Sequence, residues 1–241
     1  MCIRDSLKRA YTENTVFTAT GYESQFSSDV SGPCAVQLAV LGEFNLSNCL
    51  AVWTVLLAQG FNPHEASKRM CKLSPVPGRM ELIPVNKTQR TEGPLVVVDY
   101  AHTPDALTKA LSALRPIADQ RDGKVWCVFG CGGDRDSGKR PQMGRVAQEL
   151  ADHIVITSDN PRSEDPESII AMIKSGMSGD LANVQVLSDR AAAIMAAVRH
   201  ADTKDIVLVA GKGHESTQEI NGKKFDFSDQ EHIRLAAGGG V

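Results

Sequence analysis

The sequence predicts an α/β protein dominated by a doubly wound parallel sheet, with a less complete α/β segment ahead of it. Three observations carry this. Five short runs rich in Val and Ile, at Leu95–Asp99, Val125–Phe129, His153–Thr157, Val184–Leu187 and Ile206–Ala210, are nearly continuously apolar rather than alternating. Strands of that kind are buried on both faces, as parallel strands are. Helical stretches at Pro104–Ala118, Pro141–Ala151, Pro166–Ser175 and Asp189–His200 lie between them, and strand–helix alternation is the pattern of crossover connections.

Taken in order, the first 41 residues are β-prone pieces broken by Gly and Ser, such as Thr15–Ala19 and Ala35–Val40. They do not add up to a complete domain. The opening Met1-Cys2-Ile3-Arg4-Asp5-Ser6 fits no pattern that follows. From Asn45 to Gly60, Leu46, Leu50, Trp53, Leu56 and Leu57 recur at helical spacing, and Gly60 supplies the stop. A second helix starts after Pro63 and ends near Leu73. Ser74-Pro75-Val76-Pro77-Gly78 then breaks the chain, and Pro84 to Pro94 reads as linker leading into a strand. Beyond the last apolar run, Glu219–Phe227 reads as a hairpin turning at Asn221-Gly222.

The composition excludes several classes. At 241 residues, with 42% hydrophobic and 23% charged residues, the chain is ordinary globular material. A net charge of -3 gives no long-range attraction to nucleic acid or an anionic membrane. The six cysteines are scattered without metal spacing, so they read as reduced thiols of a cytoplasmic protein. There is no apolar run of about 18 residues to span a bilayer, and no signal-peptide core.

Ligands of parallel sheets bind beyond the carboxyl ends of the strands. Four such segments stand out: Asp99–Pro104, Gly130–Asp136, Ser158–Arg162 and Gly211–Glu215. A decoy overlaps the second. Gly133 to Lys139 has the glycine and lysine spacing of a phosphate loop, but Arg140 stands where a hydroxyl is needed, and Asp134 and Asp136 would repel phosphate oxygens. Arg135 and Arg162 fit carboxylate clamps better, because a guanidinium pairs with a carboxylate through two parallel hydrogen bonds. Asp159, Asn160 and Glu215 would meet an ammonium. Interleaved anion and cation binders suit a zwitterion such as an amino acid. The plainer alternatives are a solvated loop arginine and a turn that caps the next helix. His102 and His214 have no partner at metal spacing and read first as structural donors. Cys127 and Cys131 read as buried thiols. Asn48 is left over inside the first turn of its helix, where capping does not account for it.

Together, Gly42–Asn48, Gly78–Glu81, Val97–Leu107, Gly130–Asp136, Asp159–Arg162 and Ala210–Glu215 resemble, in order, the motifs of the Mur ligase family. The resemblance covers nearly everything after about residue 40. It implies a Rossmann-like C-terminal domain over residues 85–241, preceded over 1–84 by the end of the family's central ATP-binding domain. It also implies an ATP- and Mg2+-dependent amide ligase that adds an amino acid to UDP-N-acetylmuramoyl-L-alanyl-D-glutamate through an acyl phosphate. Asp159-Asn160-Pro161-Arg162 looks like the motif of members that take meso-diaminopimelate, whose far carboxylate lysine lacks. By the family pattern, Arg135, Gly211 and Glu215 complete the amino-acid pocket. Asn48 would contact adenine, and Arg79 and Asp99 would lie near the ribose or phosphates of ATP. The family's phosphate loop, carbamylated lysine, magnesium ligands and UDP-binding domain have no counterpart here. The expectation is therefore a monomeric fragment, inactive alone, with the magnesium ligands in a part preceding residue 1. Alternatives are a lysine-adding relative, a folylpolyglutamate synthetase-like ligase, or a non-catalytic amino-acid or nucleotide-binding module.

Overall fold

In the computed structural model, residues 10–18, 21–28, 31–85 and 93–238 are described. The expectations for residues 1–6, for Ala19 and for most of the Pro84–Pro94 linker fall outside them. The chain forms two compact units that part between Pro75 and Val76.

In the first unit, β1 (Ala10–Thr18), β2 (Gly21–Ser28) and β3 (Ser31–Leu38) form an antiparallel meander, followed by α1 (Glu43–Ala58) and α2 (Pro63–Met70). Alternation sets the buried face: Val36 and Leu38 are buried while Ala35 and Gln37 are exposed. They pack with Phe26, Leu46, Trp53, Ala66 and Met70. The indole of Trp53 donates to Ser67 Oγ at 3.1 Å, so its one polar atom is satisfied in the core. Asn62 caps α2 by accepting from the Glu65 amide at 2.9 Å, with Pro63 at the first helical position. Phe26 of β2 and Val36 and Leu38 of β3 therefore share a core with the two helices.

The second unit is a six-stranded sheet in the order β4-β5-β9-β6-β7-β8. Its strands are β4 (Glu81–Ile83), β5 (Leu95–Asp99), β6 (Val125–Phe129), β7 (His153–Ile156), β8 (Val184–Val186) and β9 (Ile206–Ala210). β4 runs antiparallel to β5, and all other pairs are parallel. The crossover helices are α3 (Pro104–Gln120), α4 (Lys139–Leu150), α5 (Pro166–Lys174) and α6 (Arg190–His200). A hairpin of β10 (Thr217–Ile220) and β11 (Lys223–Asp226) precedes α7 (Asp229–Ala236). Val96, Val98, Val207, Val209, Val128 and Val155 face one side, against Ile194 and Ala197 of α6 and Ile233 of α7. Helices α3, α4 and α5 neighbour one another in turn. Leu111 of α3 is fully buried, a contribution of about 1.5–3 kcal/mol.

The five predicted strands and four predicted crossover helices are all present. Two elements were not foreseen. β4 is three residues long, too short to show a pattern, and α7 follows a Ser228 cap just after the hairpin. β4 pairs with β5 and so belongs with the second unit, which begins at Val76.

Candidate functional site

The sheet order brings the carboxyl ends of β9, β6 and β7 side by side, and the sequence-predicted pocket residues occupy the loops that leave them. After β6, Gly130 to Asp134 crosses close to the loop after β7. Gly133 lies against the Pro161 carbonyl, where any Cβ would collide with backbone. The Gly133 amide donates to the Asn160 carbonyl at 2.9 Å. This contact explains the glycines: the two loops approach too closely for side chains.

Arg135 and Arg162 meet over the same strand end. A Cβ on Gly132 would lie 2.9 Å from Arg162 Nη1 and 3.7 Å from Arg135 Cγ. Arg162 donates to the Gly133 carbonyl at 2.6 Å, and its nearest carboxylate is Glu219 at 3.7 Å. Its backbone has φ of 52°, unusual for a side chain of that size. The hairpin holds it there: the Arg162 amide donates to the Glu219 carbonyl at 3.0 Å, and the Asn221 amide donates to the Arg162 carbonyl at 2.6 Å. Arg135 is exposed and donates to the Asp134 carbonyl at 3.4 Å.

Beside the arginines are the carboxylates. Asp159 is 6% exposed, and its carboxyl accepts no hydrogen bond from the described residues. Burial raises its pKa, opposed by the charges of Arg190 and Lys212. Gly211 has φ of 119°, and a Cβ there would lie 2.5 Å from Asp159 Oδ2. Asn160 donates from Nδ2 to Glu215 Oε2 at 2.9 Å. Its Oδ1 accepts from Lys212 Nζ at 3.0 Å and from the Glu219 amide at 3.0 Å. Both lone pairs of that oxygen are occupied, so the expected role of Asn160 as an ammonium acceptor is corrected: it has only N–H to offer. Burial pushes the Glu215 carboxyl up, but the Asn160 and Lys212 hydrogen bonds and the Lys212 charge outweigh it and hold it below the usual range.

Behind these loops lie ion pairs that sequence reasoning missed. Arg140 forms a two-pronged pair with Glu164 at 2.8 Å on both oxygens and donates to the Gly132 carbonyl at 3.2 Å. Glu164 in turn accepts from the Asp134 amide, and its carboxyl is held down at about 2 by the Arg140 hydrogen bonds. Arg190 pairs with Asp229 through two 2.8 Å hydrogen bonds and reaches the Ala210 carbonyl at 3.0 Å. The phosphate-loop decoy is accounted for as well. The Asp134 amide faces Glu164, the Gly138 amide faces Asp136 at 2.9 Å, and Lys139 donates to the His102 carbonyl at 2.8 Å. A loop whose amides already face carboxylates is no cradle for phosphate.

Of the three residues expected near a nucleotide, two come together. Asp99 accepts from the Met80 amide at 2.8 Å, and Arg79 lies with its guanidinium 4.7 Å from the centre of the Tyr100 ring. Burial raises the Asp99 pKa, against the backbone bond from Met80. Asn48 belongs to the first unit, exposed on α1, where it donates to Asn45 Oδ1 at 3.3 Å. His102 pairs through Nδ1 with the Tyr100 carbonyl at 2.8 Å. Cys127 and Cys131 are buried thiols, and burial pushes Cys131 up to about 12. Among the described residues, no group of three His, Cys, Asp or Glu side chains is placed to share a metal ion. None of the helices described is long and apolar enough to cross a membrane.

The site is thus a set of arginines and carboxylates gathered at the carboxyl edge of an open, mostly parallel α/β sheet. Residues 78–213 match the family described as Mur ligase, glutamate ligase domain, and the chain belongs to the Mur ligase family. It is 54% identical over 234 residues to the UDP-N-acetylmuramoyl-L-alanyl-D-glutamate–2,6-diaminopimelate ligase of Ralstonia nicotianae, covering 97% of this chain and 43% of that protein. The enzyme of the same name from a Janthinobacterium species is 48% identical, covering 92% of this chain and 44% of its own. The chain thus spans less than half the length of these curated relatives. A solved structure of a ligase of that name superposes with a TM-score of 0.71 at 39% identity, over 95% of this chain and 45% of the other. Mycobacterium tuberculosis folylpolyglutamate synthase shares the fold, with a TM-score of 0.60 at 19% identity over 84% of this chain and 45% of its own.

Proposed function

We propose that this chain carries the amino-acid-accepting part of an ATP-dependent ligase that adds meso-diaminopimelate to UDP-N-acetylmuramoyl-L-alanyl-D-glutamate in peptidoglycan synthesis. The observation that carries the reading is the approach of the Arg135 and Arg162 side chains to Gly132, with the Arg162 charge acting on Glu215 and the Asp159 carboxyl lying against Gly211. Diaminopimelate has a carboxylate and an ammonium at each end, whereas lysine lacks the far carboxylate. In this reading, Arg162 grips that far carboxylate. A lysine in its place leaves the guanidinium unpaired, which is what makes the site selective.

ATP supplies activation of the glutamate carboxyl as an acyl phosphate, from which the incoming amine displaces phosphate. The chain's own contribution is positioning and charge complementarity. Arg135 and Arg162 hold carboxylate, Asp159 and Glu215 accept from ammonium, and Asn160, Pro161 and Gly211 shape the wall. Arg79 and Asp99 fit the ribose or phosphates of ATP, an exposed guanidinium beside a carboxylate. Asn48, with an exposed amide that both donates and accepts, suits an adenine edge. For Mg2+ the described residues present no matching donor set. The compartment that suits buried, unbridged thiols is the cytoplasm, and the working unit we propose is a monomer. Calorimetric titration of the chain tests the reading. Diaminopimelate should bind at least tenfold more tightly than lysine, and equal affinities or no diaminopimelate binding would overturn it.

A further inference from the structure

Lys212 stands between two glycines in the loop after β9, and neither the sequence pattern nor the family likeness gives it a role. Its side chain is 0% exposed. An ammonium removed from water is tolerated only with partners, and Lys212 has two, Asn160 Oδ1 at 3.0 Å and Glu215 Oε2 at 3.1 Å. The Glu219 amide also donates to Asn160 Oδ1, so the Asn160 amide has a single orientation, with Nδ2 donating to Glu215 Oε2. That carboxylate oxygen therefore carries two donors, and Oε1 accepts no hydrogen bond from the described residues. Lys212 also places a positive charge close to Asp159 and Glu215. Two neighbouring carboxylates would otherwise resist being ionised together.

We propose that Lys212 is the positioning residue of the amino-acid pocket. It locks Asn160 and Glu215 in one geometry, so that Glu215 Oε1 and the Asp159 carboxyl face a ligand ammonium, while Lys212 itself never touches the ligand. The proposal rests on the amino-acid reading of this site given above.

The test uses the 241-residue chain and its Lys212→Met, Glu215→Gln and doubly substituted variants. Diaminopimelate affinity is measured by calorimetry, the Glu215 carboxyl titration by carbon-13 NMR, and folding by circular dichroism. Lys212→Met should weaken diaminopimelate binding at least tenfold and raise the Glu215 titration midpoint. The double variant should bind no worse than the weaker single one, because both changes remove the same arrangement. Unchanged affinity in folded Lys212→Met, multiplying effects, or an unmoved Glu215 midpoint would each overturn the proposal. If Lys212→Met does not fold, Lys212→Gln, which keeps a donor but no charge, is measured in its place against the same outcomes. If the unsubstituted chain binds no diaminopimelate, the substrate reading fails, and the Glu215 midpoint still decides the positioning claim.

Discussion

Four arginines gather around the carboxyl ends of β6, β7 and β9, in an inner layer and an outer rim. Inside, Arg190 and Arg140 have side chains 0% and 1% exposed, each closed onto a carboxylate at 2.8 Å. On the rim, Arg162 keeps 23% of its side chain exposed with its nearest carboxylate 3.7 Å away, and Arg135 is exposed, with a single long bond to a backbone carbonyl. The inner guanidiniums are committed to holding loops together, while the outer ones hold only a backbone carbonyl each and, for Arg162, a long contact to Glu219. Residue type alone does not separate a scaffold from a clamp. Burial and a close carboxylate partner do.

Substitutions of increasing mildness test that division. Arg190→Leu should be the most damaging to stability. It leaves Asp229, itself 0% exposed, charged and unpaired in the interior, a loss of roughly 3–5 kcal/mol. Urea unfolding measures it, and a change under about 1 kcal/mol would erase the distinction between layers. Arg140→Leu should lose less, roughly 2–3 kcal/mol, because Glu164 keeps 30% of its side chain in water. This pair also predicts a pH signature. The Glu164 carboxyl lies at about 2 in the folded protein, below its ordinary 4.5. The stabilisation is therefore complete above 4.5 and lost as pH falls toward 2. Melting temperatures of the native chain should drop more steeply over that interval than those of Arg140→Leu, and parallel curves would remove the pair from the explanation. Arg162→Ala should disturb the fold least, by about 1 kcal/mol or less, yet weaken diaminopimelate binding by about 2–5 kcal/mol in the same calorimetric titration. Loss of stability without loss of affinity would move Arg162 to the inner class.

The sheet was legible from sequence because parallel strands buried on both faces leave continuous runs of Val and Ile, and because two of the crossover helices, α3 and α5, begin at prolines. β4 and α7 were not legible: three residues beside Pro84 show no period, and α7 follows a hairpin whose turn dominates the local pattern. The rim residues were legible because loops after parallel strands concentrate charge and glycine. Arg140 entered only as the reason to reject a phosphate loop, and Arg190 looked like an ordinary first residue of a helix. Their partners Glu164 and Asp229 lie 24 and 39 residues away, a separation that helical or strand periodicity does not encode. Lys212 lay within a segment already singled out, but burial is what gives it meaning, and burial belongs to the folded chain.

The left-handed backbone of Arg162 has a further consequence. Its amide and carbonyl are fastened to Glu219 and Asn221 on either side of Ile220, so the direction in which the guanidinium points is inherited from a hairpin whose β11 strand is wholly exposed. Lengthening or shortening that hairpin would swivel the arginine without altering it. If Arg162 grips a ligand carboxylate as proposed, ligand choice has a tuning screw on the surface, where it can be turned while the core stays as it is.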